Sequence, residues 1–189
     1  MGCIAWLSHG GDGGDNRSIG KNRLGPGHSN SLILEPGRWT EYDPFLFLAE
    51  DWFERGSFDV HPHRGIETVT YVMEGRLEHY DNKSGQTDEL FPGDAQWMTA
   101  GRGVIHKEDP AVGETVHSLQ LRVNLPSGKK MTEPRYQNLR RADMPVRRAE
   151  GAEIVVFSGS SGGVCAAKQN VVPVPMAEMR LAPGDGKFG

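Results

Sequence analysis

Short apolar runs closed by turn residues recur along this chain from residue 31 onward. Ser31-Leu32-Ile33-Leu34 ends at Glu35-Pro36-Gly37, and Phe45-Leu46-Phe47-Leu48-Ala49 lies between Asp43-Pro44 and an acidic stretch. Both predict buried strands. Glu67 to Met73 is rich in β-branched and aromatic residues and closes at Glu74-Gly75, after which Arg76 to Tyr80 continues the pattern. Asp81-Asn82-Lys83-Ser84-Gly85 reads as a hairpin loop. Gln96-Trp97-Met98-Thr99 is a short strand, Ala100-Gly101-Arg102-Gly103 a turn, and Val104-Ile105-His106 the return. Ser118 to Leu125 alternates apolar and polar positions, the signature of a half-buried strand, and Glu153-Ile154-Val155-Val156-Phe157 adds another before the Ser/Gly turn of Ser158 to Gly163. Strands at such short spacing predict an all-β sandwich or barrel. The flanks differ. Residues 1–30 carry the polar, turn-rich run Gly10-Gly11-Asp12-Gly13-Gly14-Asp15-Asn16 and are expected to form a loose arm, with His9 and His28 solvated. Residues 126–172 read as a connector with additional strands, and its pairs Arg140-Arg141 and Arg147-Arg148 as solvated charge.

Composition agrees with this pattern: 25 glycines and 12 prolines in 189 residues are too many for a helical bundle. A net charge of -4 supplies no field that would gather nucleic acid or an anionic membrane. Cys3 and Cys165 sit far apart and outside any metal-ribbon or redox spacing, so both are expected to be reduced thiols. Met1-Gly2-Cys3 is followed by Trp6 where acylation wants Ser or Thr, which argues against lipidation. No run approaches the ~20 apolar residues of a membrane helix, and cytoplasmic residence is the expectation.

The chemistry concentrates in His61-Pro62-His63-Arg64-Gly65-Ile66-Glu67 and in Gly101 to Glu108. Side chains alternate faces along a strand, so His61 and His63 project to one side, and so do His106 and Glu108. A helix would separate each pair. Two neighbouring antiparallel strands carrying H-x-H and H-x-E would converge on a point about 2.0–2.2 Å from each ligand atom. Three imidazoles and one carboxylate suit a single divalent transition metal. Pro62 lacks a backbone donor and predicts an edge strand. His79 shares parity with Leu77 and reads as a satisfied core histidine; His117 has no evident partner. Trp97, Met98 and Tyr71 are candidates for the mouth of the site, with core packing as the alternative.

With both motifs in view, residues 56–109 resemble the pirin family of the cupin superfamily. The resemblance rests on His61-Pro62-His63-Arg64-Gly65, Glu67-Thr68-Val69-Thr70-Tyr71, Glu74-Gly75 and the run Pro92 to Gly103 ending at His106, and continues weakly through Leu119-Gln120-Leu121 and Leu181-Ala182-Pro183-Gly184. It implies a cupin-type jelly-roll β-barrel over residues 31–125. It also implies iron as the usual metal, with Ni, Cu, Mn or Zn as alternatives, held by His61, His63, His106 and Glu108. Glu67 stands near a carboxylate position of general cupins, but its spacing to Gly75 is one residue long, which leaves it outside the shell. His106 falls two residues later than in ordinary cupins, a shift that preserves strand parity.

Residues 173–189 resemble the start of a second barrel: Met179-Arg180-Leu181 and Gly186-Lys187-Phe188 repeat the lead-in Phe47-Leu48-Ala49 and Gly56-Ser57-Phe58. The chain is therefore expected to be a C-terminally shortened member, with an uncovered apolar face that favours a homodimer or a protein partner. The resemblance implies a flavonol dioxygenase of the quercetin 2,3-dioxygenase kind, with Glu108 as the catalytic base. The alternatives are a non-catalytic, iron-dependent regulatory protein resembling transcriptional coregulators, and an inactive remnant.

Overall fold

A computed structural model describes residues 4–9, 20–82, 87–167 and 170–182. The strands are β1 (Ile4–His9), β2 (Asn22–Gly25), β3 (His28–Leu34), β4 (Phe45–Glu54), β5 (His61–His63) and β6 (Ile66–Glu74). They continue as β7 (Leu77–Asp81), β8 (Thr87–Leu90), β9 (Ala95–Thr99), β10 (Val104–Pro110), β11 (Thr115–Asn124) and β12 (Arg135–Leu139). The last five are β13 (Val146–Ala149), β14 (Ala152–Ser158), β15 (Ser160–Ser161), β16 (Val164–Cys165) and β17 (Met176–Leu181). A single helical turn, Trp39–Tyr42, precedes β4. Among the described residues no helix is long and apolar enough to cross a membrane.

The chain divides into two compact units, residues 18–140 and residues 1–17 with 141–189. In the first, a seven-stranded sheet ordered β12-β9-β6-β11-β4-β3-β2 faces a four-stranded sheet ordered β5-β10-β7-β8. Polar side chains join their inner faces: Thr70 on β6 and Gln120 on β11 both donate to the Glu108 carboxylate on β10, at 3.0 and 3.3 Å. Two apolar clusters also span the sheets. Phe53, Val72, Leu77, Leu90 and Val116 form one, and Met98, Ala100 and Val104, with Ile66 and Tyr136, the other. This is the all-β, jelly-roll barrel of the cupins.

The barrel unit is wider at both ends than residues 31–125. β2 and β3 extend it below residue 31, and β12 pairs with β9 as an outer strand of the large sheet, so residues 135–139 are barrel rather than connector. The loose arm is corrected in the same way, because residues 4–9, 22–25 and 28–34 are strands. His28 is not solvated; its ring lies 3.2 Å from the Asp51 carboxylate and edge-on to Phe58. Cys3, the Gly10 to Asn16 run, residues 83–86 of the hairpin loop and residues 183–189, with part of the second lead-in, lie outside the described residues.

The second unit is a four-stranded sheet ordered β1-β17-β14-β13, in which β1 runs parallel to β17, with β15 and β16 pairing beside it. Ile154 to Phe157 are buried, as their apolar run predicts. The basic pairs at 140–148 are largely matched rather than simply solvated. Arg140 pairs with Asp94, Arg141 with the buried Glu178 and with Glu153, and Arg148 with Glu153.

Candidate metal centre

β5 is the edge strand of the small sheet, as Pro62 predicts, and pairs antiparallel with β10 so that His61 lies opposite His106 and His63 opposite Val104. Alternation then does the rest. Pro62 points outward between two inward imidazoles, and exposed Ile105 and half-exposed Lys107 separate the buried Val104, His106 and Glu108. Gly101 shapes the turn that leads into β10: its φ is +50°, and a Cβ there would stand 2.1 Å from the Thr132 carbonyl oxygen. The same turn is tied to the end of the histidine pair, since the Gly65 N–H donates to the Gly101 carbonyl at 2.7 Å.

His61, His63 and His106 converge, each offering one nitrogen within 4.8 Å of the others. The His61 Nε2 atom is 3.1 Å from Nε2 of His63 and 3.1 Å from Nε2 of His106. Two nitrogens at that separation, each about 2.1 Å from a common ion, would subtend about 95° there, an angle that suits one face of an octahedral shell. Nδ1 of His61 lies 2.8 Å from the Asp59 carbonyl oxygen, which only accepts, so Nδ1 carries a proton and Nε2 is the nitrogen free to ligate. Nδ1 of His106 lies 3.0 Å from Nε2 of the buried His79, a contact that holds the His106 ring from behind. His79 is thus the satisfied core histidine expected of it, with a positioning role the sequence did not suggest.

Burial is the main cause that lowers the His63 and His106 pKa values to about 3; crowding against a second imidazole, His106 for His63 and His79 for His106, disfavours a further proton, and the Arg122 charge adds to it for both. Burial lowers His79 too. His63 and His106 are therefore neutral across the physiological range, as ligation requires.

Glu108 shares the inward face of β10 with His106, but it stands opposite His79 on β7 rather than opposite β5, and it is not among the three converging groups. Its carboxylate is oriented by Thr70 and Gln120. Glu67 points the other way: it lies on the β6 face opposite Thr70, fully buried, accepting from the Thr99 hydroxyl at 2.7 Å. The registers settle the three mouth candidates as well. Trp97 and Tyr71 share the Glu67 and Thr99 face, away from the histidines, and only Met98 lies on the Thr70 face. His117, without an evident partner in sequence, bonds Glu50 at 2.7 Å and stacks on Trp52.

Sequence reasoning missed Thr70, Gln120 and Arg122. β11 alternates as a half-buried strand should, and its polar positions would ordinarily face water. Here Gln120 and Arg122 lie on the face that looks into the barrel. Alternation alone cannot distinguish solvent from a polar interior.

Residues 32–123 match the family described as Pirin. Human pirin is 43% identical over 143 residues, which cover 75% of this chain and 49% of that protein. The chain spans about half the length of the curated relatives it matches. Among solved structures, a protein from Geobacillus kaustophilus is 66% identical with a TM-score of 0.86, covering 89% of this chain and 68% of that one. A quercetin 2,3-dioxygenase from Acinetobacter baumannii is 31% identical with a TM-score of 0.70, covering 82% and 59%. A bacterial pirin from Escherichia coli in complex with nickel(II) is 26% identical with a TM-score of 0.56, covering 74% and 68%. With its paired-histidine barrel and these likenesses, the chain belongs to the pirin family.

Proposed function

We propose that this chain binds one divalent transition metal through His61, His63, His106 and Glu108 and oxidises flavonols in the manner of a quercetin 2,3-dioxygenase. The observation that carries the reading is the convergence of three imidazoles beside a carboxylate held on the same inward strand face. The likeness to the Acinetobacter dioxygenase supports the substrate class, and the nickel(II) complex of the Escherichia coli pirin supports a bound metal. Iron and nickel both suit imidazole and carboxylate donors.

A bound metal would supply a Lewis-acidic centre at which an electron-rich aromatic substrate meets O2. The protein's own work is proton handling and orientation. Glu108 accepts the proton of the flavonol hydroxyl. Thr70 and Gln120, each donating to one carboxylate oxygen, hold it in position to do so. His79 fixes the ring plane of His106.

The test is bleaching of quercetin under air by the metal-loaded chain, with metal content determined on the same sample. Glu108→Gln should slow bleaching by about 10²–10⁴-fold. Unchanged bleaching in that variant would overturn the role of Glu108, and stoichiometric metal without any bleaching would overturn the dioxygenase reading in favour of a metal-dependent interaction protein.

A further inference from the structure

Arg122 is a cation inside the barrel with no carboxylate at ion-pair distance among the described residues. It lies on the inward face of β11, two residues beyond Gln120, in register with Phe47 on β4 and Thr68 on β6. Its guanidinium stands over the Phe47 ring at 5.1 Å and donates through one terminal nitrogen to the Gln120 side-chain oxygen at 3.3 Å. Its Nε is buried and has no hydrogen-bond partner among the described residues. No carboxylate lies within ion-pair distance of it among them either; Glu108 and Asp51 act on it only as more distant charges. The Tyr136 hydroxyl, on the inward face of β12 opposite Met98, is also buried with no hydrogen-bond partner among the described residues.

A buried guanidinium with an unused donor is costly unless something completes it. Only Nε is fully buried; the residue as a whole is half-buried. It is also coupled to the site: Arg122 donates to Gln120, and Gln120 donates to Glu108.

We propose that Arg122 is the anion anchor of the substrate site, so that the ligand taken by this barrel is a planar, conjugated oxyanion with charge shared between two oxygens. The inference rests on the dioxygenase reading for the identity of that oxyanion, a flavonol that has given its hydroxyl proton to Glu108. The O–H bond breaks, the proton stays on the Glu108 carboxylate, and the electron pair spreads over the substrate's conjugated oxygens. Arg122 faces one of those oxygens with its planar fork, while Phe47 backs the guanidinium. Arg122 thereby favours the ionised ligand over its neutral analogue, and is a specificity-determining residue.

The experiment is an anaerobic titration of the metal-loaded chain and its Arg122→Gln and Arg122→Lys variants, followed by tryptophan fluorescence. Three ligands are compared: quercetin, the flavone lacking its 3-hydroxyl (luteolin), and benzoate. Arg122→Gln should weaken quercetin and benzoate by about 10–100-fold, leave luteolin within about twofold and keep the metal stoichiometry; Arg122→Lys should recover part of the loss. Equal weakening of quercetin and luteolin would make Arg122 a packing residue and overturn the proposal, as would undiminished quercetin and benzoate binding. Benzoate separates the two readings. If the parent chain binds benzoate through Arg122 but not quercetin, the anchor stands and the flavonol reading fails; if it binds neither, the anchor fails. Should Arg122→Gln not fold, Arg122→Lys carries the comparison, since it keeps the charge and loses the fork.

Discussion

His61 enters the site with its Nδ1 turned to a backbone carbonyl, and the consequence is an Nε2 aimed at its two neighbours. Removing it leaves two of the three converging nitrogens. The variant His61→Ala is expected to lose stoichiometric metal, read by elemental analysis after gel filtration; an undiminished metal content would remove His61 from the centre. His79 acts through His106 alone. In His79→Leu the His106 ring loses the partner at its Nδ1 while the first-rank nitrogens stay, so metal affinity should fall by about 10–100-fold in a chelator competition. Both motif pairs were readable at this scale, because H-x-H and H-x-E declare themselves wherever a strand carries them. His79 was not, because nothing along the chain says that two buried imidazoles will meet across β7 and β10.

Strands deliver these residues, and their delivery depends on turns that tolerate little change. Gly101 adopts a positive φ with the Thr132 carbonyl pressed against it, just before β10 begins. Gly101→Ala is expected to cost about 1–3 kcal/mol from the backbone strain, with the clash adding to that, measured as a lowered denaturant midpoint. A loss of metal affinity should accompany it, since the same turn accepts from Gly65 behind the histidine pair. Deeper in the barrel, Leu77 is fully buried in the cluster that joins the two sheets. Leu77→Ala should destabilise the unit by about 2–5 kcal/mol in the same measurement. Strand existence was legible from apolar runs and turn residues. Strand roles were less so: β12 looked like connector because Arg135–Leu139 is polar at most positions, and only pairing with β9 makes it part of a sheet.

Across the whole molecule, the buried imidazoles make stability depend on pH. His63 and His106 titrate near 3 in the folded chain and near 6.5 when unfolded, so between those values unfolding takes up protons. Through these two groups the metal-free chain should lose stability as pH falls from about 6.5 toward 3, read in a series of denaturant melts; replacing His63 and His106 by Gln should flatten that slope, and an unchanged slope would show that they do not cause it. The all-β barrel and the pirin likeness were legible along the chain. It also supplied two candidate ligand pairs, because alternation with period two and turn chemistry are local properties of a strand. Only the tertiary structure decided which face of each strand meets the other sheet. That choice sends Trp97 and Tyr71 away from the histidines and brings Gln120 and Arg122 toward Glu108. The physical reason is that an inward polar face and an outward one have the same spacing in sequence, and they differ only in what the opposing sheet places against them.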